Sequence, residues 1–288
     1  MIKIKRINYK LKIIQPNATE LVQGAGFHSM LQHIEYCGRT CYKSEDKITE
    51  DSCNRFVNML REHAHGAMLE HGTVYLTIPE SVINDALLRS IDMPDSLAGK
   101  LSHFISLGNR AYHTKYRVVN NIYYVTTNYR VIVEGDLEFL IDRYRTECRE
   151  HHYKRRTFKM TCNRGVSHEF VRHRVFSFAQ ESQRYVNYSK EKFGKEIKVI
   201  KPLYFNDEFS LKYLHWKGAC EDAERRYFTL LANNATPQEA REVLPNSCAT
   251  ELIMTGFESD WEHFFKLRCA KDAHPQAQEI ANMIKEQF

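Results

Sequence analysis

Two hydrophobic periods take turns along this chain, and no stretch between them reads as a boundary. Apolar residues recur at every second position, then at a 3.6-residue spacing, then back again, from Thr49 to the end. No internal repeat, low-complexity tract or Gly/Ser-rich linker interrupts the alternation. A length of 288 residues leaves room for two units at roughly 150 residues per domain. Strands and helices interleaved without a break instead predict one α+β domain over 1–288.

The local patterns supply the pieces. Thr49 and Asp51 precede Phe56, Met59 and Leu60, which predicts a capped amphipathic helix stopped by Gly66. Residues 73–78 alternate up to Pro79, as a half-buried strand does, and residues 80–91 return to helical spacing through Val82, Ile83, Ala86 and Leu87. Runs 116–119 and 122–127 flank Asn120-Asn121. Asparagine tolerates positive φ, so a tight hairpin is expected there, with 129–133 as a further strand.

Farther on, Leu137, Leu140, Ile141, Tyr144 and Cys148 share a helical face. Phe158, Met160 and Cys162 alternate with polar residues to give a strand leading into a helix over 164–172. Phe209, Tyr213, Trp216, Ala223, Tyr227 and Leu231 describe one long helix. Thr236-Pro237-Gln238-Glu239 and Ser259-Asp260-Trp261-Glu262 read as capping boxes, and Pro275 opens the last helix.

Several function classes drop out. The apolar runs are far shorter than the roughly 18 to 20 residues a membrane span needs. Lysines break up the N-terminal MIKIKRINYKLKII, so no secretory leader can be drawn and a cytoplasmic chain is expected. The 8 cysteines form no CxxC pair and read as reduced, buried thiols with no catalytic assignment, Cys248 included. Gly24 and Gly26 lack the third glycine of a dinucleotide fingerprint, and no Walker loop occurs. His168-Glu169 begins like a zinc helix, but Arg172 stands where the second histidine belongs, so no metal is expected.

What remains is a dense basic cluster. Arg172-His173-Arg174 is followed by residues 175–181, then Ser182, Arg184 and Tyr185. Like charges this close repel unless something neutralises them. Guanidinium forks fit phosphate oxygens, and Val171, Val175, Phe176 and Phe178 around them suggest partial burial. Two readings compete: an ion-pair network with Glu169 and Glu181, or a site for a polyanion.

The spacing RHR, seven residues, serine resembles the pattern of the flavin-dependent thymidylate synthases. Other pieces resemble that family in order: HAHGAMLEH, CNRGVSHEFVRHR, RHRVFSFAQESQRY, AREVLP, FFKLR and HPQAQEI, from about residue 37 to 280. The resemblance implies a twisted, mainly antiparallel sheet flanked by helices. It also implies reductive methylation of deoxyuridine monophosphate (dUMP) to dTMP, with methylenetetrahydrofolate as carbon donor, FAD as hydride carrier, NADPH as reductant, and a homotetramer whose sites are shared between subunits.

Residue by residue, the resemblance places Arg268 at the pyrimidine as the catalytic group. Such a cation cannot act as a routine base but can stabilise charge developing on uracil. Arg172, His173, Arg174, Gln180, His263, Ala67 and His65 are implied as flavin contacts. Glu169, Arg172, Gln180, Glu181, Ser182, Gln183, Arg184, Arg241 and Arg268 are implied as dUMP contacts. Ser182 lacks a nucleophile elbow and is read as a binding residue.

The chain also departs from the family pattern. Glu169 stands where glutamine is common, and Ala67 where serine or threonine is common; Phe257 and Ser259 replace a frequent asparagine and arginine. Residues 80–155 are expected to be an insertion carrying the hairpin. A flavin-binding member with an altered substrate is the first alternative. A nucleic-acid-binding module is the second, raised by the +5 charge and Lys154-Arg155-Arg156; it is disfavoured because the aromatics follow core periods and no RNA- or DNA-binding motif occurs, so neither nucleic acid nor membrane is expected as a partner.

Overall fold

The computed structural model describes residues 11–90, 93, 95–108 and 113–288. In chain order the main elements are β1 (Lys12–Ile14), β2 (Asn17–Glu20), α1 (Phe27–Tyr42), α2 (Ser52–Glu62), α3 (Gly66–Leu69), β3 (Thr73–Pro79), α4 (Glu80–Ser90), α5 (Leu97–Leu107), β4 (Lys115–Val119) and β5 (Ile122–Asn128). Then come α6 (Tyr129–Glu134), α7 (Glu138–Tyr144), β6 (Arg155–Asn163), α8 (Arg164–Phe170), β7 (Ser177–Gln180), β8 (Lys198–Ile200), α9 (Leu211–Ala232), α10 (Pro237–Ala240), β9 (Ala249–Phe257), α11 (Glu258–Arg268) and α12 (Pro275–Lys285).

The α+β class and the antiparallel preference hold, with the strands divided over three sheets. The main one runs β2-β6-β9-β7, antiparallel throughout; β3-β5-β4 form a second antiparallel sheet; β1 and β8 make a short parallel pair. β6 and β9 are the long central strands because both their faces are covered. On one face Phe158, Met160, Leu252 and Met254 pack beneath Phe170, Trp261, Phe264, Ile280 and Ile284 of α8, α11 and α12.

The other face is partly polar. His71 Nδ1 lies 2.7 Å from Thr255 Oγ1, which lies 2.8 Å from Thr157 Oγ1, which in turn meets His33 Nε2 at 3.2 Å. All four side chains are buried. Burial, with the Arg155 charge nearby, depresses His33 to a pKa of about 4; burial, then His33 and Arg155, depresses His71 to about 3. Both rings are therefore neutral, as an imidazole out of water and beside a guanidinium must be.

Segment 80–155 is no loose appendage. Ile83, Leu101, Phe104, Val125, Ile132 and Leu140 share one apolar core with Met30, Ile34, Val57 and Leu60 of α1 and α2. The hairpin forms as expected, with Asn120 at φ 50° and Asn121 at φ 60°, the pair of positive angles that a two-residue turn of this hand requires.

Several local expectations change. Residues 129–133 are helical, because Asn128 Oδ1 accepts the Val131 N–H at 3.0 Å and starts α6 instead of extending β5. α2 ends before Gly66: His65 N–H reaches Leu60 O at 2.8 Å and Ala64 N–H reaches Arg61 O at 3.1 Å around Ala64 at φ 54°, a Schellman turn made with alanine. Gly66 instead opens α3, where a Cβ would sit 2.9 Å from Arg130 Nε.

The box at 259–262 is shifted. α11 begins at Glu258, and its reverse half is the Phe257 N–H donating to Asp260 Oδ2 at 3.0 Å, so Ser259 lies inside the helix. The 137–148 helix is shorter than its pattern, leaving Cys148 exposed beyond α7. The long helix is Leu211–Ala232, capped by Ser210, with Phe209 outside it, and the box at Thr236 is present on α10. The helix expected over 80–91 runs to Ser90; position 91 lies outside the described residues.

Candidate functional site

Two helix ends meet under an aromatic cluster, and a carboxylate sits between them. Asn163 caps α8 by accepting the Val166 N–H at 2.8 Å; α8 then ends in the turn that carries Arg172-His173-Arg174 into β7. α11 is pinned by Trp261, Phe264 and Phe265, whose side chains are buried. The Phe264 ring lies 5.1 Å from Phe170 and 5.0 Å from His173, edge to face. That packing brings Arg268, the last residue of α11, onto the end of α8.

Arg268 Nη1 donates to Glu169 Oε2 at 2.9 Å, Nη2 to the Glu169 main-chain oxygen at 2.6 Å, and Nε to His173 Nε2 at 2.9 Å. Arg172 Nη1 stands 3.4 Å from the other Glu169 oxygen. The bond from Arg268, ahead of the Arg172 charge, holds the Glu169 carboxyl below its usual range. His173 has to accept from a guanidinium, which fixes its own proton on Nδ1. Burial and the Arg268 charge lower its pKa to about 4. Three of the five guanidinium N–H groups of Arg268 are committed; two remain for a ligand.

The expected partial burial of the basic cluster is corrected. Arg172 and Arg174 are exposed, the Arg172 side chain at 69%, and only His173 and Arg268 are partly covered. The apolar neighbours Phe176, just before β7, and Phe178, within it, pack in the layer beneath the turn and do not enclose its guanidiniums. His263 is exposed on α11, near enough for its charge to bear on His173.

Past the turn, alternate residues face opposite ways. Gln180 Nε2 donates to Ser167 Oγ at 2.9 Å and ties the end of β7 to α8. Glu181 and Gln183 turn inward, onto a cavity of about 480 Å³ also lined by Lys43, Tyr188, Cys248 and Glu251. Glu181 accepts from the Tyr188 hydroxyl at 2.7 Å, and burial raises its pKa. Ser182 N–H holds the Cys41 carbonyl at 2.9 Å, while exposed Arg184 donates to Gln238 at 3.1 Å.

Gln238 and Arg241 belong to α10 and the turn after it, where Arg241 pairs with its neighbour Glu242 at 3.4 Å. The candidate arginines therefore form two groups on one chain: Arg172 and Arg268 around Glu169, and Arg184 and Arg241 beside α10. His65 and Ala67 are exposed at α3, a third location that packs on β7 through its other side.

Sequence reasoning missed two ion-pair groups. Glu251 Oε2 takes Lys43 at 2.8 Å and Lys159 at 2.7 Å; the second contact is diagonal across β6 and β9, and only the strand register reveals it. At α11, Lys115 from the hairpin reaches Ser259 Oγ at 2.5 Å and Asp260 at 3.7 Å, over the Phe257 ring. Two of the positions that depart from the family pattern, Phe257 and Ser259, thus receive a cation from β4. Among the described residues no group of three or more His, Cys, Asp or Glu is placed to hold a metal ion. No described helix is long and apolar enough to cross a membrane.

The donor chemistry suits nucleotides. Two exposed guanidiniums on one turn, of which only Arg172 touches a carboxylate among the described residues, offer forks that match the oxygens of a diphosphate such as that of FAD.

Comparison with known proteins agrees. A family model described as thymidylate synthase complementing protein matches residues 124–288. Flavin-dependent thymidylate synthases from Pyrococcus abyssi and Pyrococcus furiosus are each 27% identical over 165 residues, covering 56% of this chain and 66% of theirs. The enzyme of that name from Mycobacterium tuberculosis is 32% identical over 134 residues, covering 41% of this chain and 51% of its own. The matched region thus spans between half and two thirds of these curated relatives.

Proposed function

Because the chain belongs to the thymidylate synthase complementing protein family, we propose that it makes dTMP from dUMP by reductive methylation, as a homotetramer in the cytoplasm. Methylenetetrahydrofolate supplies the carbon, and NADPH supplies the electrons. Bound FAD supplies the hydride transfer, chemistry that side chains lack. The observation that carries this reading is the Arg172–Glu169–Arg268 cluster with His173 held neutral beneath it.

The cluster carries one net positive charge when Glu169 is ionised and His173 neutral. Arg268 uses its two free N–H groups to bind the uracil edge and stabilise negative charge there. Arg172 and Arg174, with His173 behind them, hold the flavin diphosphate; Gln180, His263, His65 and Ala67 complete its contacts. Ser182 and Arg184 hold the nucleotide with Glu181 and Gln183 behind them, and Arg241 binds its phosphate. Arg241 and Arg268 bond to different partners on one chain, Glu242 and the Glu169–His173 pair, which is in keeping with a site assembled from neighbouring subunits.

Residues 80–155 are then an insertion within one family domain over 1–288. Their strands β4 and β5 extend β3 into the second sheet, while the main sheet resumes at Arg155. Lys115 over Phe257 and Ser259 favours a second reading, a flavin-binding member with altered ligand contacts.

The absorbance of the purified protein tests both. We expect a yellow chromophore that bleaches on reduction and reoxidises only when dUMP and methylenetetrahydrofolate are both present. Reoxidation indifferent to dUMP would support the second reading, and a protein that cannot be loaded with flavin would overturn both.

A further inference from the structure

A second cationic cleft, which shares no lining residue with the cluster around Glu169, lies at one end of β6, the strand that runs from Arg155 to Asn163. At the Arg155 end, a cleft of about 480 Å³ opens between residues 20–23, β3 and segment 154–157. Four cations line it, Arg149, Lys154, Arg155 and Arg156, against the carboxylates of Glu20 and Glu258.

Glu20 is already committed, since Arg156 Nε and Nη2 bind its two oxygens at 2.7 and 2.6 Å. Arg155 forms no salt bridge with any described residue, and the Glu70 and Asp260 carboxylates act on it only from a distance. Its Nη1 reaches Thr73 Oγ1 at 3.3 Å, its Nη2 donates to the Glu70 carbonyl at 3.0 Å, and its Nε is buried without a partner. Burial lowers its pKa to about 10. Arg149, exposed at the rim, donates among the described residues only to the Gln23 carbonyl at 3.2 Å and lies over the Tyr75 ring. Exposed Lys154 forms no ion pair with any described residue.

Three cations therefore face one uncommitted carboxylate. A covered guanidinium without a directly paired carboxylate is costly, and a ligand carrying two negative charges removes that cost. We propose that this cleft binds a small aromatic phosphomonoester, with Arg155 at its floor and Arg149 and Lys154 at its rim, as an anion site separate from the Glu169 cluster. A phosphomonoester carries nearly two charges at neutral pH and presents three strong acceptors, which matches the charge excess; a monocarboxylate brings one charge. Tyr75 and Phe288 on the walls give the organic substituent apolar contact, and the volume lies within the range of small-molecule pockets.

Calorimetric titration of the full chain with phenyl phosphate, and with benzoate for comparison, tests the assignment. The phenyl phosphate site is expected to persist in the Arg172→Ala/Ser182→Ala chain. It should weaken at least about tenfold in the Arg149→Gln/Lys154→Gln chain, whose changes are confined to exposed side chains. Arg155→Met is expected to abolish it, with circular dichroism reporting the fold. Benzoate should bind at least about tenfold more weakly than phenyl phosphate.

Absence of binding in the wild type, its complete loss in Arg172→Ala/Ser182→Ala, or an unchanged affinity in Arg149→Gln/Lys154→Gln would each overturn the site. Equal affinity for benzoate would overturn its assignment to phosphate.

Discussion

Glu169 decides how much positive charge its neighbours can offer a ligand. It takes two bonds from Arg268, one through its side chain and one through its main chain, and stands 3.4 Å from Arg172. A glutamine there could still accept from Arg268 through its amide oxygen, but it would no longer cancel a charge. Glu169→Gln is therefore expected to tighten dUMP binding roughly threefold to tenfold, with the effect shrinking as salt is raised. Nucleotide titrations at two ionic strengths measure it, and weaker binding in the variant would count against an anionic ligand at this cluster. His173 was legible as part of RHR, but its role as an acceptor was not, because only the packing of α11 on α8 aims Arg268 at its ring.

At the level of elements, one helix end is built with a residue that resists its conformation. Ala64 sits at φ 54° in the turn that closes α2, where the left-handed region costs an L-residue roughly 1–2 kcal/mol. Ala64→Gly is expected to stabilise the fold by about 1 kcal/mol, offset in part by the greater freedom of glycine in the unfolded chain. Urea denaturation reads this directly. The sequence pattern pointed to Gly66 as the stop because glycine is the common choice. The chain instead uses that glycine where α3 approaches Arg130. Tyr129 was misplaced for a related reason: its β-prone neighbours are outweighed by the Asn128 cap. The layers that cover the sheet also set the acid limit of stability. His33, His71 and His173 have folded pKa values of about 4, 3 and 4 against an ordinary 6.5. Between these values the unfolded chain binds more protons than the folded one, so stability is full above pH 6.5 and falls as the pH drops toward 4 and below. Denaturation midpoints across that window should fall steadily, and His33→Gln should flatten the fall; a flat wild-type profile would contradict neutral buried rings.

For the whole molecule, the order of elements and the α+β class were legible because hydrophobic period survives in one dimension. The division into three sheets was not, since it depends on which strand edges meet. The arginines were legible one by one, whereas their split into a Glu169 group and an α10 group is a matter of tertiary packing. If subunits complete one another's sites, chains carrying Arg241→Ala and chains carrying Arg268→Ala should each lose at least about a hundredfold in turnover. Mixed and reassembled, the two should regain a measurable fraction of it. No recovery, with mixed oligomers demonstrated by mass, would place the whole site within one chain. A last consequence concerns the polar row His71, Thr255, Thr157, His33 that crosses β9 and β6. Each hydroxyl has a single hydrogen, so the two hydroxyls cannot serve two acceptor rings and still bond to each other: if His71 accepts, His33 has to donate, and if His33 accepts, His71 has to donate. An accepting tautomer on one flank of the sheet thus dictates a donating tautomer on the other, and exchanging the two roles requires every proton between them to reorient together.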